Sequence, residues 1–382
     1  MKGLVALIML ASLMLSGCEE RSEQQPEFRV GLIAPVSGQI PEVGRATVEA
    51  AELAVATVNQ QGGLIINNQQ YRVVLLTEDN QDNAEHTISA ALRLINQKNV
   101  SAIIGPQASR NAIPAARYAE YAKIPLLSPW STNPRTTLNK DWVFRVAYVD
   151  TFQGQLMAKF AYDELGARTA AVLYDVSSDY NRKLAEVFST EFQAMGGIMA
   201  AFELYTRDAP NLEEQFRQIK SANPDILFLP NYYNEVPEQA RQARAAGITT
   251  QLLGSDSWAQ IPESDRDILE GAYFSAHYAV DKASGQALNF RARYREAYQR
   301  DPDDVAALTY DAFGLLFEAA KRSGSTEPQE LRDALRTMPE YEGITGQIEF
   351  RNSGDPTKSA VLMTVKDGQF IFSRWIAPPM LP

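Results

Sequence analysis

The sequence predicts an α/β protein built from parallel sheets flanked by helices, and two observations support this. From Phe28 onward, short runs of aliphatic and β-branched residues alternate with helical patterns, as is typical of parallel sheets. The same alternation then occurs a second time further along the chain. The candidate strands are residues 28–34, 71–77, 102–105, 125–128, 170–174, 198–204, 226–229 and 251–253.

The segments between these strands carry apolar residues at helical spacing. In the first half this face comprises Ala50, Ala51, Ala54, Val55 and Val58, and in the second half Leu184, Val187, Phe188, Phe192 and Met195. A glycine pair follows each segment and predicts its end, Gly62 with Gly63 and Gly196 with Gly197. Two similar halves predict two lobes that face each other across a cleft, with ligands at the carboxyl ends of the strands.

Length and charge limit the classes of function. A chain of 382 residues exceeds the size at which a single core usually keeps growing, so two lobes are expected. The net charge is −11, which makes nucleic acid an unfavourable partner, and none is expected. With one cysteine the chain has no internal disulfide, and the fold must depend on its apolar core.

The N-terminus predicts an exported protein that is attached to a membrane. Lys2 precedes an apolar run, residues 4–15, that is too short to span a bilayer, and Ser16-Gly17-Cys18 follows. This pattern resembles a bacterial lipoprotein signal, which implies removal of residues 1–17, lipidation of Cys18 and a net charge of −12. An ordinary signal peptide with a chance cysteine is the alternative. Residues 18–27 are polar and predict a solvated tether on the periplasmic or cell-surface face of a membrane.

Several local motifs occur in a recognisable order. They are APVSG at 34–38, GPQAS at 105–109, LSPWSTNP at 127–134, FRV at 144–146, DTFQG at 150–154, VLYD at 172–175, NYYNE at 231–235 and GSDSW at 254–258. In order and spacing these motifs resemble the leucine/isoleucine/valine-binding family of type I periplasmic binding proteins. The resemblance covers residues 28–375 and is therefore more specific than a single glycine pattern.

That resemblance implies two Rossmann-like lobes, each a parallel sheet between helices, joined by three crossovers that form a hinge. The N-terminal lobe would comprise residues 28–149 and 279–344, and the C-terminal lobe residues 150–278 and 345–382. Closure of the lobes around a ligand is the motion that the family implies.

A free amino acid carries a carboxylate and an ammonium on one carbon, so its cleft needs donors on one side and an acid on the other. Ser109 precedes a helical pattern whose free N–H groups favour an anion, and Thr132 could add a hydroxyl donor. The resemblance implies that Ser109 and Thr132 hold the carboxylate, and that the backbone of Trp130 and the carboxylate of Asp256 meet the ammonium. Neighbouring Ser131 is a further candidate ligand-binding residue. Tyr180 and Tyr232 match tyrosines that line the family cleft.

Each of these residues also has a purely structural interpretation. The serines and Thr132 could cap a helix or form turns, the tyrosines could pack in the core, and Asp256 follows Gly254 in a turn-like sequence. Asp150 is expected to cap the helix that starts at Thr151, with a ligand role as the alternative.

The sequence departs from the family where the side-chain pocket forms. A family tyrosine falls at Val43, and the position of Trp130 is usually small. Together with Trp258 this predicts an altered pocket, so an aliphatic, branched-chain or aromatic amino acid is expected, without a choice among them.

Catalysis is not expected. His86 and His277 lie far apart without metal-spaced partners, so no metal site or cofactor is expected. No nucleophile elbow or phosphate loop is present. The predicted function is therefore a monomeric, lipid-anchored substrate-binding protein that delivers an amino acid to the permease of an ABC importer. A lipid-anchored sensor or regulatory partner of an envelope protein, or a binder of a small amide, is the alternative.

Overall fold

The computed structural model describes residues 25–207 and 211–378. Cys18, the signal peptide predicted for residues 1–17 and most of the predicted tether therefore lie outside the described residues. The strands are β1 (Glu27–Ala34), β2 (Leu64–Ile66), β3 (Gln69–Asp79), β4 (Ala102–Ile104), β5 (Leu126–Ser128), β6 (Val143–Arg145), β7 (Thr169–Asp175), β8 (Ile198–Tyr205), β9 (Ile226–Leu229), β10 (Gln251–Gly254), β11 (Tyr273–Ala276), β12 (Tyr341–Gly343), β13 (Gly346–Ile348), β14 (Ala360–Lys366) and β15 (Gln369–Ile376).

Helices connect most of these strands, as expected for parallel sheets. They are α1 (Pro41–Gln60), α2 (Ala84–Asn96), α3 (Ser109–Ala122), α4 (Asp150–Lys159), α5 (Asp179–Ala194), α6 (Glu213–Ala222), α7 (Val236–Ala245), α8 (Gln286–Tyr298), α9 (Asp304–Ser323) and α10 (Pro328–Arg336). None of the helices in the described part of the chain is long and apolar enough to cross a bilayer.

Two sheets form two lobes, which confirms the predicted fold class. The first sheet has the order β2-β3-β1-β4-β5-β6 and the second the order β15-β14-β11-β10-β9-β7-β8. Most neighbours are parallel, and antiparallel pairs occur only toward one edge of each sheet, at β2 and at β14 with β15. In the first sheet β1 lies between β3 and β4, so the strand order reverses there and a crevice opens at the carboxyl ends.

Local sequence explains why the elements begin where they do. Pro41 occupies the first turn of α1, where its missing N–H costs nothing, and Asn83 caps α2 by accepting bonds from the N–H groups of Glu85 and His86. Gly44 must be glycine, because a Cβ there would lie 2.0 Å from the carbonyl oxygen of Pro35. This close contact packs the start of α1 against the loop after β1.

The eight predicted strands are all present, with ends displaced by two residues or fewer. Seven further strands were not predicted: β2, β6 and β11 to β15. Most of them are short, and β14 and β15 join the second sheet in the antiparallel sense, which the alternation of strands and helices does not reveal.

The chain passes between the lobes three times. The first passage follows β6 and leads into α4, which packs on α5 of the second lobe. The second follows β11 and leads to α8 and α9, which pack on α1 of the first lobe, and the third leads from β13 to β14. The rings of Tyr148 and His277 stack with centroids 3.8 Å apart and so join the first two passages.

Candidate functional site

A small cavity lies between the lobes at the carboxyl ends of both sheets. Its wall contains Gln107, Ala108, Ser109, Trp130, Thr132, Tyr180, Tyr232 and Asp256. The residues of the first lobe follow β4 and β5, and those of the second follow β7, β9 and β10. Neighbouring parallel strands end at the same edge of a sheet, which explains why positions distant in sequence meet here. Six of the seven predicted ligand-binding residues line this cavity, and Ser131 does not.

The wall from the first lobe combines the Trp130 ring with hydrogen-bond donors near the start of α3. Ser109 is the first residue of α3, whose N-cap residue Ala108 makes no side-chain cap bond. The N–H groups of a first helical turn have no intrahelical partner and carry the positive end of the helix dipole. The Ser109 and Ser131 hydroxyls are 2.8 Å apart, and Ser131 lies at the same distance from the hydroxyl of Thr136. Ser131, which does not line the cavity itself, therefore fixes the position of the Ser109 hydroxyl.

The wall from the second lobe contains the Asp256 carboxylate, only 1% exposed. Its Oδ1 accepts hydrogen bonds from the Tyr180 hydroxyl at 2.5 Å and from Gln153 Nε2 at 2.8 Å. Its Oδ2 lies 3.2 Å from Nε2 of His277. Residues from α4, α5 and the second passage thus fix the orientation of one carboxylate.

Asp256 has no permanently charged partner in the described part of the chain: no lysine or arginine there lies within 4.0 Å of it. Arg145 is buried but pairs with Asp355 at 2.6 Å, and the buried Lys358 donates to Thr345 and to the carbonyl of Val146. Burial lowers the pKa of His277, and the bond to Asp256 only partly opposes this. A buried carboxylate beside a neutral imidazole favours the arrival of a cation.

Asp150 is the first residue of α4, whose N-cap is Val149 with no side-chain cap bond. The prediction that Asp150 caps this helix was therefore wrong. The carboxylate is fully buried, and it approaches the Thr132 hydroxyl outside hydrogen-bond geometry. Burial raises the pKa of Asp150 to about 8, while the contact with Thr132 opposes the shift and the charge of Asp256 adds to it. A buried acid that is largely protonated at neutral pH thus lies beside Thr132 of the first wall, whose carbonyl accepts a bond from the Asp150 N–H at 2.8 Å.

Trp258 and Val43 do not shape the pocket as the sequence suggested. The Trp258 ring packs over Gly254, where a Cβ would lie 2.1 Å from it, and its Nε1 donates to the carbonyl of Leu229 at 3.1 Å. It belongs to the core of the second lobe because glycine at position 254 leaves room for it. Val43 is buried in α1 and does not line the cavity.

Sequence reasoning missed three residues in or beside the cavity. Gln107 lines it, and its Nε2 donates to Thr47 at 2.8 Å and to Thr309 at 3.2 Å. Gln153 and His277 hold Asp256, as described above. The motifs at 105–109 and 150–154 contain the two glutamines, but no local pattern shows where an amide side chain points.

An arginine of the first lobe, Arg110, connects the two lobes at the cavity. Arg110 of α3 forms an ion pair with Asp82 of its own lobe. Its guanidinium lies 4.4 Å from the centre of the Tyr232 ring on the other lobe, which is cation–π geometry. Asn133 Nδ2 donates to the carbonyl of Asp179 at 2.8 Å, and Arg135 pairs with the Asp179 carboxylate at the same distance. The lobes are therefore in direct contact around the cavity.

Comparison with known proteins identifies the family. A family model described as "Periplasmic binding protein" matches residues 27–369. The chain belongs to the periplasmic binding protein family. A solved structure superposes closely: a leucine-binding protein from Thermotoga maritima has 32% identity and a TM-score of 0.84, covering 92% of this chain and 99% of that one.

Two further relatives are also similar to this chain over most of their length. The branched-chain amino acid transporter substrate-binding protein of Streptococcus pneumoniae, solved with isoleucine, has 28% identity and a TM-score of 0.84, and covers 92% of this chain and 100% of its own. The leucine-, isoleucine-, valine-, threonine- and alanine-binding protein of Pseudomonas aeruginosa is 23% identical, over 91% of this chain and 92% of its own. This periplasmic binding protein therefore belongs to the branched-chain amino acid branch of the family, as the motifs suggested.

Proposed function

We propose that this protein captures a free α-amino acid between its lobes and delivers it to an ABC importer. The observation that carries the proposal is the buried Asp256 carboxylate, which faces the cavity without a cationic partner in the described part of the chain. The N-terminus of α3, Ser109 and Thr132 lie on the opposite wall. This arrangement matches the ammonium and carboxylate of one zwitterion.

The roles of the wall residues follow from charge. In this proposal the ligand carboxylate accepts bonds from the first turn of α3 and from the Thr132 hydroxyl, where donors and the helix dipole favour an anion. The ligand ammonium lies against Asp256, which Tyr180 and His277 hold in place. Tyr232 and Trp130 cover the ligand from the two lobes.

The relatives support an amino-acid ligand and a role in transport. The Pseudomonas relative is named for binding five amino acids, and the Streptococcus structure is that of a transporter component with isoleucine. The motifs favour an aliphatic, branched-chain or aromatic amino acid, and the proposal includes no catalytic step. Lobe closure commits the ligand, since closure is driven only by what binds better in the closed form.

The proposal includes attachment to the membrane through Cys18, with the binding protein acting as a monomer that docks on a permease. The polar residues 18–27 would then link the lipid to the first lobe. Replacement of Cys18 by Ser should move the protein from the membrane fraction to the soluble fraction of cells. Retention of the variant in the membrane fraction would contradict attachment through Cys18.

A ligand screen tests the proposed function. We expect at least one L-amino acid to raise the melting temperature, because a ligand that binds only the folded state stabilises it by mass action. Calorimetry should then give one site per chain, and the Asp256→Asn variant should lose the response. If no α-amino acid changes the melting temperature, the proposal is wrong.

A further inference from the structure

A buried lysine lies where the chain crosses between the lobes for the third time. Lys358 is 2% exposed and stands two residues before β14, the strand that brings the third passage into the second sheet. None of the ion pairs in the described part of the chain includes it. Removal of an ammonium group from water is costly, and a carboxylate partner is the usual compensation. A buried lysine without such a partner is therefore a candidate for a functional role.

The hydrogen bonds of Lys358 lead to the first lobe. Its Nζ donates to the hydroxyl of Thr345 and, at 3.4 Å, to the carbonyl of Val146. Thr345 lies in the turn between β12 and β13, and Val146 follows β6 at the start of the first passage. One ammonium group thus joins the third passage to the first passage and to the hairpin of β12 and β13.

A carboxylate of α9 holds Thr345 in place. Asp311 is 1% exposed, and its Oδ2 accepts bonds from the Thr345 N–H at 2.9 Å and from the Thr345 hydroxyl at 2.6 Å. Its Oδ1 accepts a bond from the Ile344 N–H at 2.5 Å. The Thr345 hydroxyl therefore donates to Asp311 and accepts from Lys358, as a hydroxyl can. Because α9 packs on α1, this chain of bonds connects Lys358 to the first lobe.

The start of the same helix holds the second passage. The carboxylate of Asp304, in the first turn of α9, accepts bonds from the N–H groups of His277 at 2.7 Å and Tyr278 at 3.0 Å. Burial lowers the pKa of Lys358 to about 8, and the nearby carboxylates of Asp311 and Asp304 oppose the shift. Lys358 is therefore largely protonated at neutral pH, and all three passages are connected to α9 by buried hydrogen bonds.

Bonds between the passages restrict rotation of the lobes, because the lobes rotate about these same segments. Lys358 and Val146 lie in different passages, and Thr345 is held by the first lobe. In the structure these bonds occur together with the contacts of Asn133 and Arg110 that join the lobes around the cavity. An arrangement that broke the bonds of Lys358 would leave its ammonium buried without partners, which costs free energy. The bonds therefore favour the arrangement in which the lobes are in contact.

We propose that Lys358 is a positioning residue for ligand capture, which favours the closed arrangement of the lobes by joining the third passage to the first passage and to α9. It does not line the ligand cavity, so its effect on binding is indirect. The inference rests on the proposed function, because closure is the step that commits the ligand. If a smaller fraction of the protein is closed, the apparent affinity for every ligand falls by the same factor.

Lys358→Met keeps the apolar stem of the side chain and removes the ammonium group. We expect titration calorimetry on the purified variant to show every amino-acid ligand binding about tenfold more weakly, with the ratios between ligands unchanged. The melting temperature without ligand should not fall, since an apolar side chain in place of a buried charge is often neutral or stabilising. Lys366→Met, at an exposed lysine at the end of β14, is the matched control and should bind normally.

A second variant tests whether the connection runs through the hairpin. Thr345→Val removes the hydroxyl at nearly constant shape and should also weaken all ligands by one common factor. The double variant, Lys358→Met with Thr345→Val, should bind no more weakly than Lys358→Met alone, because residues that form one connection do not contribute additively. Additive losses would mean that Lys358 and Thr345 act separately, which contradicts the proposal.

The outcomes separate this inference from the proposed function. A uniform loss of affinity with an unchanged or raised melting temperature supports the inference. Unchanged affinity, a loss that differs between ligands, or a loss that accompanies a lowered melting temperature would overturn it and leave the proposed function standing. If Lys358→Met does not fold, the same criteria applied to Thr345→Val decide the question.

Small-angle X-ray scattering covers the case in which the unmodified protein binds no α-amino acid, which would overturn the proposed function. The inference then depends on the ligand-free proteins alone. A larger radius of gyration in Lys358→Met than in the unmodified protein and in Lys366→Met would support a role in closure, and an equal radius would overturn it.

Discussion

On the first lobe the cleft is lined by short hydroxyl side chains, the start of a helix, Gln107 and Trp130, whereas on the second it is lined by a carboxylate and two tyrosines. The donors of the first lobe come from neighbouring loops after β4 and β5, and Ser131 supports one of them, the Ser109 hydroxyl, through a hydrogen-bond chain that continues to Thr136. The acid of the second lobe depends on three residues from separate elements. The residues of the first wall thus come from segments close together in sequence, whereas the second wall depends on residues from distant segments that the fold brings together.

We expect the largest effect from removal of the Asp256 carboxylate. Asp256→Ala should weaken amino-acid binding by about 2 to 5 kcal/mol, because the ligand ammonium would then be buried without its partner. Asp265→Ala removes a partly exposed carboxylate of the same lobe that pairs with Arg241, and it should bind normally. The measurement is calorimetry on variants whose melting curves show a folded protein. Unchanged affinity in Asp256→Ala would mean that the second wall does not bind the ammonium.

Asp150 lies buried beside Thr132, and its titration should appear in the stability of the protein. Its folded pKa of about 8 lies above the ordinary value of 3.8, so the folded state holds a proton that the unfolded chain releases. The stability contributed by the protonated form is complete below the unfolded pKa and is lost as pH rises through about 8. Between pH 5 and 8 the contribution of Asp150 to the free energy of unfolding should fall by about 1.4 kcal/mol per unit at most.

Denaturant unfolding at pH 5, 6, 7 and 8 checks this dependence. Asp150→Asn should reduce the slope, since the amide does not titrate, and the buried Asp304, whose pKa burial also raises, keeps part of it. Asp163→Asn, at a partly exposed acid that pairs with Lys159 near the end of the same helix, should leave the slope as it is. If the free energy of unfolding of the Asp150→Asn variant changes with pH as steeply as that of the unmodified protein, other groups cause the pH dependence.

A smaller effect tests how the second wall is supported. His277→Asn should reduce affinity about tenfold, because Asp256 then loses one of its three partners and gains rotational freedom. The loss should apply equally to all amino acids that bind, because His277 positions the acid and does not line the cavity. His86→Asn replaces the exposed histidine and serves as the control. A change of ligand preference in His277→Asn would instead place His277 in direct contact with the ligand.

The smallest effect concerns the contacts between the walls. Arg135→Ala removes an ion pair whose arginine side chain is 50% exposed, so affinity should fall by less than about 1 kcal/mol. The loss should diminish further at high salt, which screens exposed pairs. Binding isotherms at low and high ionic strength give the comparison. A tenfold loss that does not depend on salt would show that Asn133 and Arg135 share a stronger role in closure.

The sequence could predict the parts of the fold that depend on local patterns. The eight strands recognised from aliphatic runs, and helices α1 and α5 recognised from their apolar faces, all occur in the structure. The antiparallel pair β14 and β15 could not be predicted, because its place in the second sheet depends on pairing with β11 across almost ninety positions.

The site shows the same division between local and distant determinants. The motifs indicated Ser109, Thr132 and Asp256, and these residues do line one cavity. They could not show that Gln153 and His277 would meet Asp256 from 103 and 21 positions away. Trp258 was misjudged because its side chain fills the space over Gly254, and Asp150 because helix α4 begins one residue earlier than expected.

The stacking of Tyr148 on His277 has a mechanical consequence. These two residues belong to different segments that cross between the lobes, and His277 also contacts Asp256 in the cleft. A ligand that binds Asp256 as proposed would contact a side chain that lies within two side chains of both segments crossing between the lobes. The proposed function therefore predicts that occupation of the cleft and the angle between the lobes are coupled through these packed side chains.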